Sequence, residues 1–493
     1  MVTFIGALIW IAVLFLIAVI YWYVTIPRNL PPGPVGLPFL GSYLSLIDGR
    51  TQDSVLQNYV KKYGPLLKVY IGNKLVIILG DHETIHAAFV KHGDAYSGRE
   101  QLNGLISERL AFKGIFSAEG ALWREQRRFA LSTLRELGLG RPVLEPQVKK
   151  EVENLITLMI AKKEPFDPLT LILCSVSAII YGMVYGKRPT NNKDKIIRSV
   201  LALFDGLTDT GIGSLSPVIL LQTVSKLLML LPSVKQMQGN AEKFVDLLEH
   251  ELLATKDQYD PNEEPQNYIH AFMKAAENGQ IENASHDQLV ASVDDLFSAG
   301  TNTTTFTTYW TILFLCHNAD IQEKMYKEIS EQVGTSSLPN YGDRNKLPFT
   351  EAVITEAQRL ANLFPLGILR RTVTPSKLMG YDIPAGAAVA PLMTNVFLNP
   401  QYYPDPLKFD PYRFLDENGK IVRDPKIIPF QLGKRACLGE SLARMEIFLF
   451  VTGMVSRLRI TFPPDKPLPS LKPSGGFANF PQNFEICVQN RTD

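Results

Sequence analysis

The chain has 493 residues, 46% of them hydrophobic and 20% charged, which is apolar enough for a large buried core and excludes disorder. A formal net charge of +1 excludes an overall electrostatic footprint for nucleic acid. The four scattered cysteines (Cys174, Cys316, Cys437, Cys487) form no CxxC pair and exclude a disulfide framework, and with every histidine at or before His317 a conventional zinc cluster around Cys437 is improbable.

In chain order, Val2 to Val24 carries no charge. A helix of that length crosses a bilayer core, which needs about 20 residues. Tyr21, Trp22 and Tyr23 resemble an interfacial belt, and Arg28 just beyond favours a cytoplasmic body. A cleaved signal peptide fits poorly, because the run lacks a basic start and a small-residue cleavage site. Residues 1–26 therefore read as an uncleaved anchor. Prolines 27, 31, 32, 34 and 38 make residues 27–50 a semi-rigid hinge leading into the body. No later composition break separates a second domain, so residues 51–493 read as one unit. Leu66 to Ile71 and Lys74 to Leu79, around a Gly72-Asn73 turn, predict a β-hairpin.

Trp123 and Arg127, four apart in WREQRRF, share one helix face. A solvated basic face and an anion-binding face both fit that spacing. Residues from about 145 to 283 predict mostly helix, within which 217–232 is unusually apolar, with Lys226 its only charge. Ser285-His286-Asp287-Gln288 has the pattern of a capping box and opens a helix running to about Cys316, on the order of 45 Å long. Midway, Ala299-Gly300-Thr301-Asn302-Thr303-Thr304-Thr305 puts glycine and β-branched residues where strong helix formers would serve stability. Such a stretch is either a small-residue crossing between helices or a groove that bends or widens locally.

Glu356 and Arg359 lie three apart on a helix face, and Phe409 to Phe414 places Arg413 further on. Between them run Phe364 to Arg371 and short strand-like pieces around Tyr381-Asp382-Ile383-Pro384. Last comes PFQLGKRACLGE, Pro429 to Glu440, with Cys437 between Gly433 and Gly439. Leu438, Leu442, Met445 and Leu449 then recur at helical spacing. A thiol at a helix mouth, with Arg435 and Lys434 close in sequence, is expected to favour its thiolate. The glycines let backbone approach a flat group, against which Phe430 would lie. A plain buried core cysteine is the alternative reading.

Phe430, Gly433, Arg435, Cys437, Gly439 and Ala443 match, position by position, the haem-binding signature of the cytochrome P-450 superfamily, which the chain resembles from anchor to C-terminal strands. The anchor, the hinge and GKRACLGE are most similar to its microsomal family-two branch. The resemblance implies a mainly α fold with a smaller β-rich region. It implies haem b held by Cys437 as axial thiolate, with Trp123, Arg127 and Arg370 on the propionates, and Arg371 as a surface residue. It implies a buried Glu356–Arg359–Arg413 network of structural role. Thr303 corresponds to the threonine that positions a proton for dioxygen activation. Asn302 departs from the family's acid at that position, which puts the usual proton route in doubt. Leu105, Phe116, Ala299, Phe364, Leu369 and Phe477 match pocket-lining segments and imply a lipophilic substrate such as a fatty acid, steroid or xenobiotic.

The implied activity is monooxygenation with O2 as co-substrate, at the cytoplasmic side of the endoplasmic reticulum membrane. Electrons would come from an NADPH-dependent diflavin reductase docking near Arg124, Arg128 and Lys434, with cytochrome b5 as a second donor. The resemblance also suggests that the apolar 217–232 segment dips into the membrane, against burial in the core. Two other readings stay open: a haem-thiolate isomerase or dehydratase, which needs no external electrons, and a non-catalytic membrane-anchored haem sensor.

Overall fold

The computed structural model describes residues 27–37, 40–42, 52–101, 107–188, 199–200, 232–474 and 478–491, with isolated positions at 6, 10, 13, 16, 17 and 195. Most of the 2–24 span, residues 201–231, Leu105 and Phe477 lie outside these. Among the described residues, no helix is long and apolar enough to cross a membrane.

After α1 (Gln52–Tyr63) comes the hairpin of β1 (Leu66–Ile71) and β2 (Lys74–Leu79), in register from Leu66↔Leu79 to Ile71↔Lys74. Gly72 takes the positive φ (59°) that the tight turn requires. Next come α2 (His82–His86), which passes into a π-helical turn over Ala87–Lys91, and β3 (Gly98–Arg99). The helical body follows: α3 (Gly120–Glu136), α4 (Glu145–Ile160), α5 (Leu169–Tyr185), α6 (Pro232–Lys256), α7 (Tyr268–Glu277), α8 (His286–His317), α9 (Ala319–Gln332) and α10 (Pro348–Ala361). Then β4 (Arg370–Arg371), β5 (Ser376–Leu378), β6 (Tyr381–Ile383) and β7 (Ala388–Pro391) lead to α11 (Met393–Phe397), α12 (Glu440–Arg457), β8 (Leu458–Thr461) and β9 (Cys487–Asn490).

The main sheet has order β1-β2-β7-β4-β3, with β7 parallel to β2 and its other pairs antiparallel. Its register sets Arg99 opposite Arg370. Like charges directly opposite in a sheet are destabilising, so this pairing needs compensation from elsewhere.

The largest apolar cluster joins α4 to α10 with α12, and α8 runs through it. That helix is α throughout its 32 residues, without the local widening that was one of the two readings of its middle. Thr303, Thr305, Thr307 and Thr311 each donate to the carbonyl four residues earlier, at 2.7 to 2.8 Å. These bonds satisfy the hydroxyls within the helix itself. Ser285 caps the start by accepting from the Gln288 N–H, and only this half of the expected box forms, since the buried Gln288 side chain returns no bond to the Ser285 N–H. At Gly300 the helix crosses α5 so closely that an added Cβ would sit 2.8 Å from Ile180 Cδ1.

Glu356 and Arg359 on α10 are wholly buried and joined bidentately, at 2.6 and 2.7 Å. Arg359 also donates to the Phe397 and Pro406 carbonyls, and Arg413 lies 3.5 Å from Glu356. The Asp410 N–H donates to Glu356 as well. Helix α10 is thereby stitched to the loop that precedes the cysteine segment. Arg359→Ala leaves Glu356 buried without its main partner, so unfolding stability is expected to fall by about 3–5 kcal/mol. A denaturant titration showing a loss under about 1 kcal/mol would sink this role.

Candidate active site

The cysteine loop is shaped by backbone constraint. Gln431 and Gly433 have positive φ, and a Cβ on Gly433 would collide with the Phe89 carbonyl oxygen. The Cys437 N–H closes the loop by donating to the Phe430 carbonyl at 2.9 Å. At Gly439, immediately before α12, an added Cβ would meet no protein atom within 4 Å. The chain therefore keeps a bare backbone facing open space. Phe430 is half-buried, with the Arg444 guanidinium 4.8 Å from its ring centre.

Cys437 is free and exposed, yet burial among protein atoms pushes its thiol pKa up. Open surface at a desolvated place describes a recess. The Gly439 N–H and Arg127 oppose the upward shift, and Glu440 adds to it. The thiolate expected at a helix mouth is thus outweighed by desolvation in the bare protein. Arg435 gives it no help, because its guanidinium turns to the carbonyls of Ser97 (2.8 Å), Phe116 (3.2 Å) and Ala118 (2.5 Å). Lys434 pairs outward with Asp94. A cation at the sulfur is what would restore the thiolate.

Four guanidiniums crowd beside this recess: Arg99, Arg127, Arg370 and Arg435. Arg127 donates to the Ala436 carbonyl (2.7 Å), Arg370 to Leu432 (2.6 Å), and Arg99 to Phe116 and Leu369 (both 3.2 Å). Among the described residues none of the four has an ion pair, and their side chains donate only to backbone carbonyls. Among the described residues, Arg370 Nε and Nη1 and Trp123 Nε1 are buried and meet no acceptor. Burial first, then mutual repulsion, drives the pKa of Arg370 well down, and burial lowers Arg435 to about 8 and Arg99 to about 10. Arginine stays charged under such pressure, so the cluster calls for anions. Arg371, by contrast, pairs with Glu119. The sequence reading missed Arg99, which no local pattern marks; the β3–β4 register brings it in.

Helix α8 is buried on both sides of one open stretch. Within 294–303 only Phe297 and Thr301 are buried, while Ala299 is exposed and Asn302 and Thr303 are half-buried. Thr303 Oγ1 donates to the Ala299 carbonyl, and Asn302 Oδ1 is buried and meets no donor among the described residues. Behind Thr303, Thr304 donates at 3.2 Å to Glu446 of α12, a carboxyl that burial raises to about 8. Asp295 accepts the Ile115 and Phe116 N–H groups at 2.6 and 2.9 Å, pinning Phe116 to α8. Two adjacent aspartates inside an apolar helix were a legible signal that the sequence reading passed over. Of the other pocket candidates, Phe116 and Phe364 are half-buried. Leu369 is fully buried in a sheet cluster and offers no open surface.

This donor set fits a planar macrocycle bearing two carboxylates and a metal. Cys437 supplies sulfur, Gly439 leaves clearance, and the orphaned donors and bare guanidiniums supply what carboxylates accept.

Residues 31–488 match the family model described as Cytochrome P450. Cytochrome P450 2C20 of Macaca fascicularis is 34% identical over 475 residues, covering 93% of this chain and 94% of that protein. Cytochrome P450 2G1 of Oryctolagus cuniculus is 32% identical, with 94% of each chain covered. Cytochrome P450 2U1 of Homo sapiens is 30% identical, over 94% of this chain and 90% of that one.

Gly439→Val puts a branched side chain into space that the protein leaves empty. Purified protein is expected to lose most of its haem while its helix content by circular dichroism stays unchanged. Full haem occupancy in this variant would mean that the clearance at Gly439 serves nothing.

Proposed function

This chain belongs to the cytochrome P450 family, and on that premise we propose that it is a membrane-bound monooxygenase acting on a lipophilic substrate. Its family-two homologues support a haem-thiolate enzyme, an oxidoreductase that incorporates oxygen. The observation that carries the site assignment is the recess at Cys437, flanked by four guanidiniums without carboxylate partners among the described residues.

In this reading Cys437 would hold the haem iron through its sulfur, and Phe430, Gly433, Arg435 and Gly439 would shape the loop around it. Trp123, Arg127 and Arg370, joined by Arg99, take the two propionates. Haem, when bound, supplies dioxygen activation and the insertion of one oxygen atom into a C–H or C=C bond, the other leaving as water. Thr303 holds a proton at Oγ1 over the open stretch of α8. Asn302 orients water through its amide and does not ionise. The apolar lining excludes bulk water and accepts a fatty acid, steroid or xenobiotic body. Glu356, Arg359 and Arg413 fix the frame and touch no reactant.

Residues 1–26 form the anchor, 27–50 the hinge and 51–493 the catalytic unit, on the cytoplasmic face of the endoplasmic reticulum. Electrons come from an NADPH-dependent diflavin reductase, with cytochrome b5 a further donor. The exposed Arg124 and Arg128 and the exposed Lys434 suit such docking.

The full chain is expected to sediment with membranes and, with reductase and NADPH, to turn over lipophilic substrates. Recovery in the soluble fraction would remove the anchor from the account, and turnover without NADPH would favour isomerase chemistry. Thr303→Ala is expected to divert NADPH to peroxide and lower coupling about tenfold or more. Tight coupling in that variant would take Thr303 out of the mechanism.

A further inference from the structure

Arg370 is the most deeply buried of the four guanidiniums, and what lies against it is a ring. Its Cζ is 3.5 Å from the centre of the Phe89 ring, and its only acceptor among the described residues is the Leu432 carbonyl. At that separation the flat cation rests on the face of the ring. A guanidinium stacked in this way gives up its face and keeps its N–H groups at the rim. Two of those groups, Nε and Nη1, meet no acceptor among the described residues.

Phe89 is held as firmly as the cation. It lies in the π-helical turn Ala87–Lys91 that follows α2, where the His92 N–H reaches back to the Ala87 carbonyl at 3.0 Å. Such turns are rare and frequently mark functional sites. The Phe89 side chain is fully buried in the apolar cluster that holds Ile85, Tyr96 and Val389, and Val389 is the cross-strand neighbour of Arg370. Its carbonyl abuts Gly433, where a Cβ would collide. One residue therefore touches both the arginine and the cysteine loop.

The charges around Arg370 share its sign. Burial opposes its charge, and Arg99, Arg435 and Arg127 add repulsion. A carboxylate partner would answer that charge, but it would also consume the rim donors. An aromatic face answers it and leaves them free, and the attraction grows when water is excluded. The same solution recurs next to it: Arg435 Cζ lies 4.0 Å from the Trp123 ring centre and Arg99 Cζ 4.6 Å from that of Phe116.

We propose that Phe89 is a positioning residue for haem capture: its ring face holds the Arg370 guanidinium in place, with Nε and Nη1 left free for a propionate. This rests on the reading of Arg370 as a propionate partner and adds the group that prepares it. Phe89 itself touches no reactant and acts through Arg370 alone.

The test is a double-mutant cycle on the full-chain holoenzyme. It uses Phe89→Leu and Phe89→Met, which remove the ring and keep an apolar side chain, each alone and combined with Arg370→Met. Every variant is checked for an unchanged circular dichroism spectrum and an intact reduced carbon monoxide band. Two quantities are read: the rate at which haem passes to excess apomyoglobin, and the ferric–ferrous midpoint potential. Both Phe89 variants are expected to lose haem about tenfold faster than the wild type. Both are also expected to have a lower midpoint potential, because a positive charge fixed at the propionates favours the ferrous form. In the Arg370→Met background neither Phe89 substitution is expected to change either quantity further. Faster haem loss with an unmoved potential, or the same acceleration in the Arg370→Met background, overturns the proposal by assigning Phe89 to packing alone. Wild-type haem loss in both Phe89 variants, while Arg370→Met loosens haem, overturns it and leaves the propionate reading standing. A wild-type rate and potential in Arg370→Met would overturn the propionate reading and this proposal with it.

Discussion

Four guanidiniums held inside the protein, with no carboxylate partner among the described residues, are the constraint around which the site is organised. Sheet register sets Arg99 directly opposite Arg370, and α3 and the cysteine loop add Arg127 and Arg435. Each is held in place by backbone carbonyls, which fix geometry but supply no full negative charge. A bare protein carries this arrangement at a cost, and two carboxylates arriving together would relieve it. The raised thiol pKa of Cys437 makes the same demand in the other sign, for a cation at sulfur. One ligand that brings a metal and two carboxylates at once answers both, and the clearance at Gly439 gives it room.

The rest of the fold follows as support for that geometry. The bidentate Glu356–Arg359 pair needs no external partner, and it locks α10 to the segment that leads into the cysteine loop. Helix α8 keeps a regular α ladder across its polar middle, where its threonines return their hydroxyls to carbonyls one turn back. Gly300 serves the crossing with α5, while Asn302 and Thr303 face the open stretch. The crossing and the groove are thus both present in one stretch, on different sides of the helix.

What was legible in the sequence was local. The hairpin about Gly72, the span of α8 and the helix after Cys437 follow from periodicity and turn chemistry, and the structure places them within a residue or two. The Trp123–Arg127 face was readable as a choice between two roles, and burial of Trp123 against the Arg435 guanidinium decides it against a solvated surface. What was not legible depends on distant parts of the chain. Arg99 becomes a site residue through strand pairing with a partner far along the sequence. The state of the Cys437 thiol turned on desolvation, which outweighed the helix terminus. Arg435 precedes the cysteine by two residues yet points elsewhere, so nearness in sequence was a poor guide to nearness of charge.

The account stands most directly on the reduced, carbon monoxide difference spectrum of the membrane-bound protein, read beside that of Cys437→Ser. It predicts a strongly red-shifted Soret band in the wild type, the sign of thiolate-ligated haem with an open sixth position, and loss of that band in the variant. A wild-type band at the position typical of histidine-ligated haem, or a red-shifted band that survives in Cys437→Ser, would contradict it.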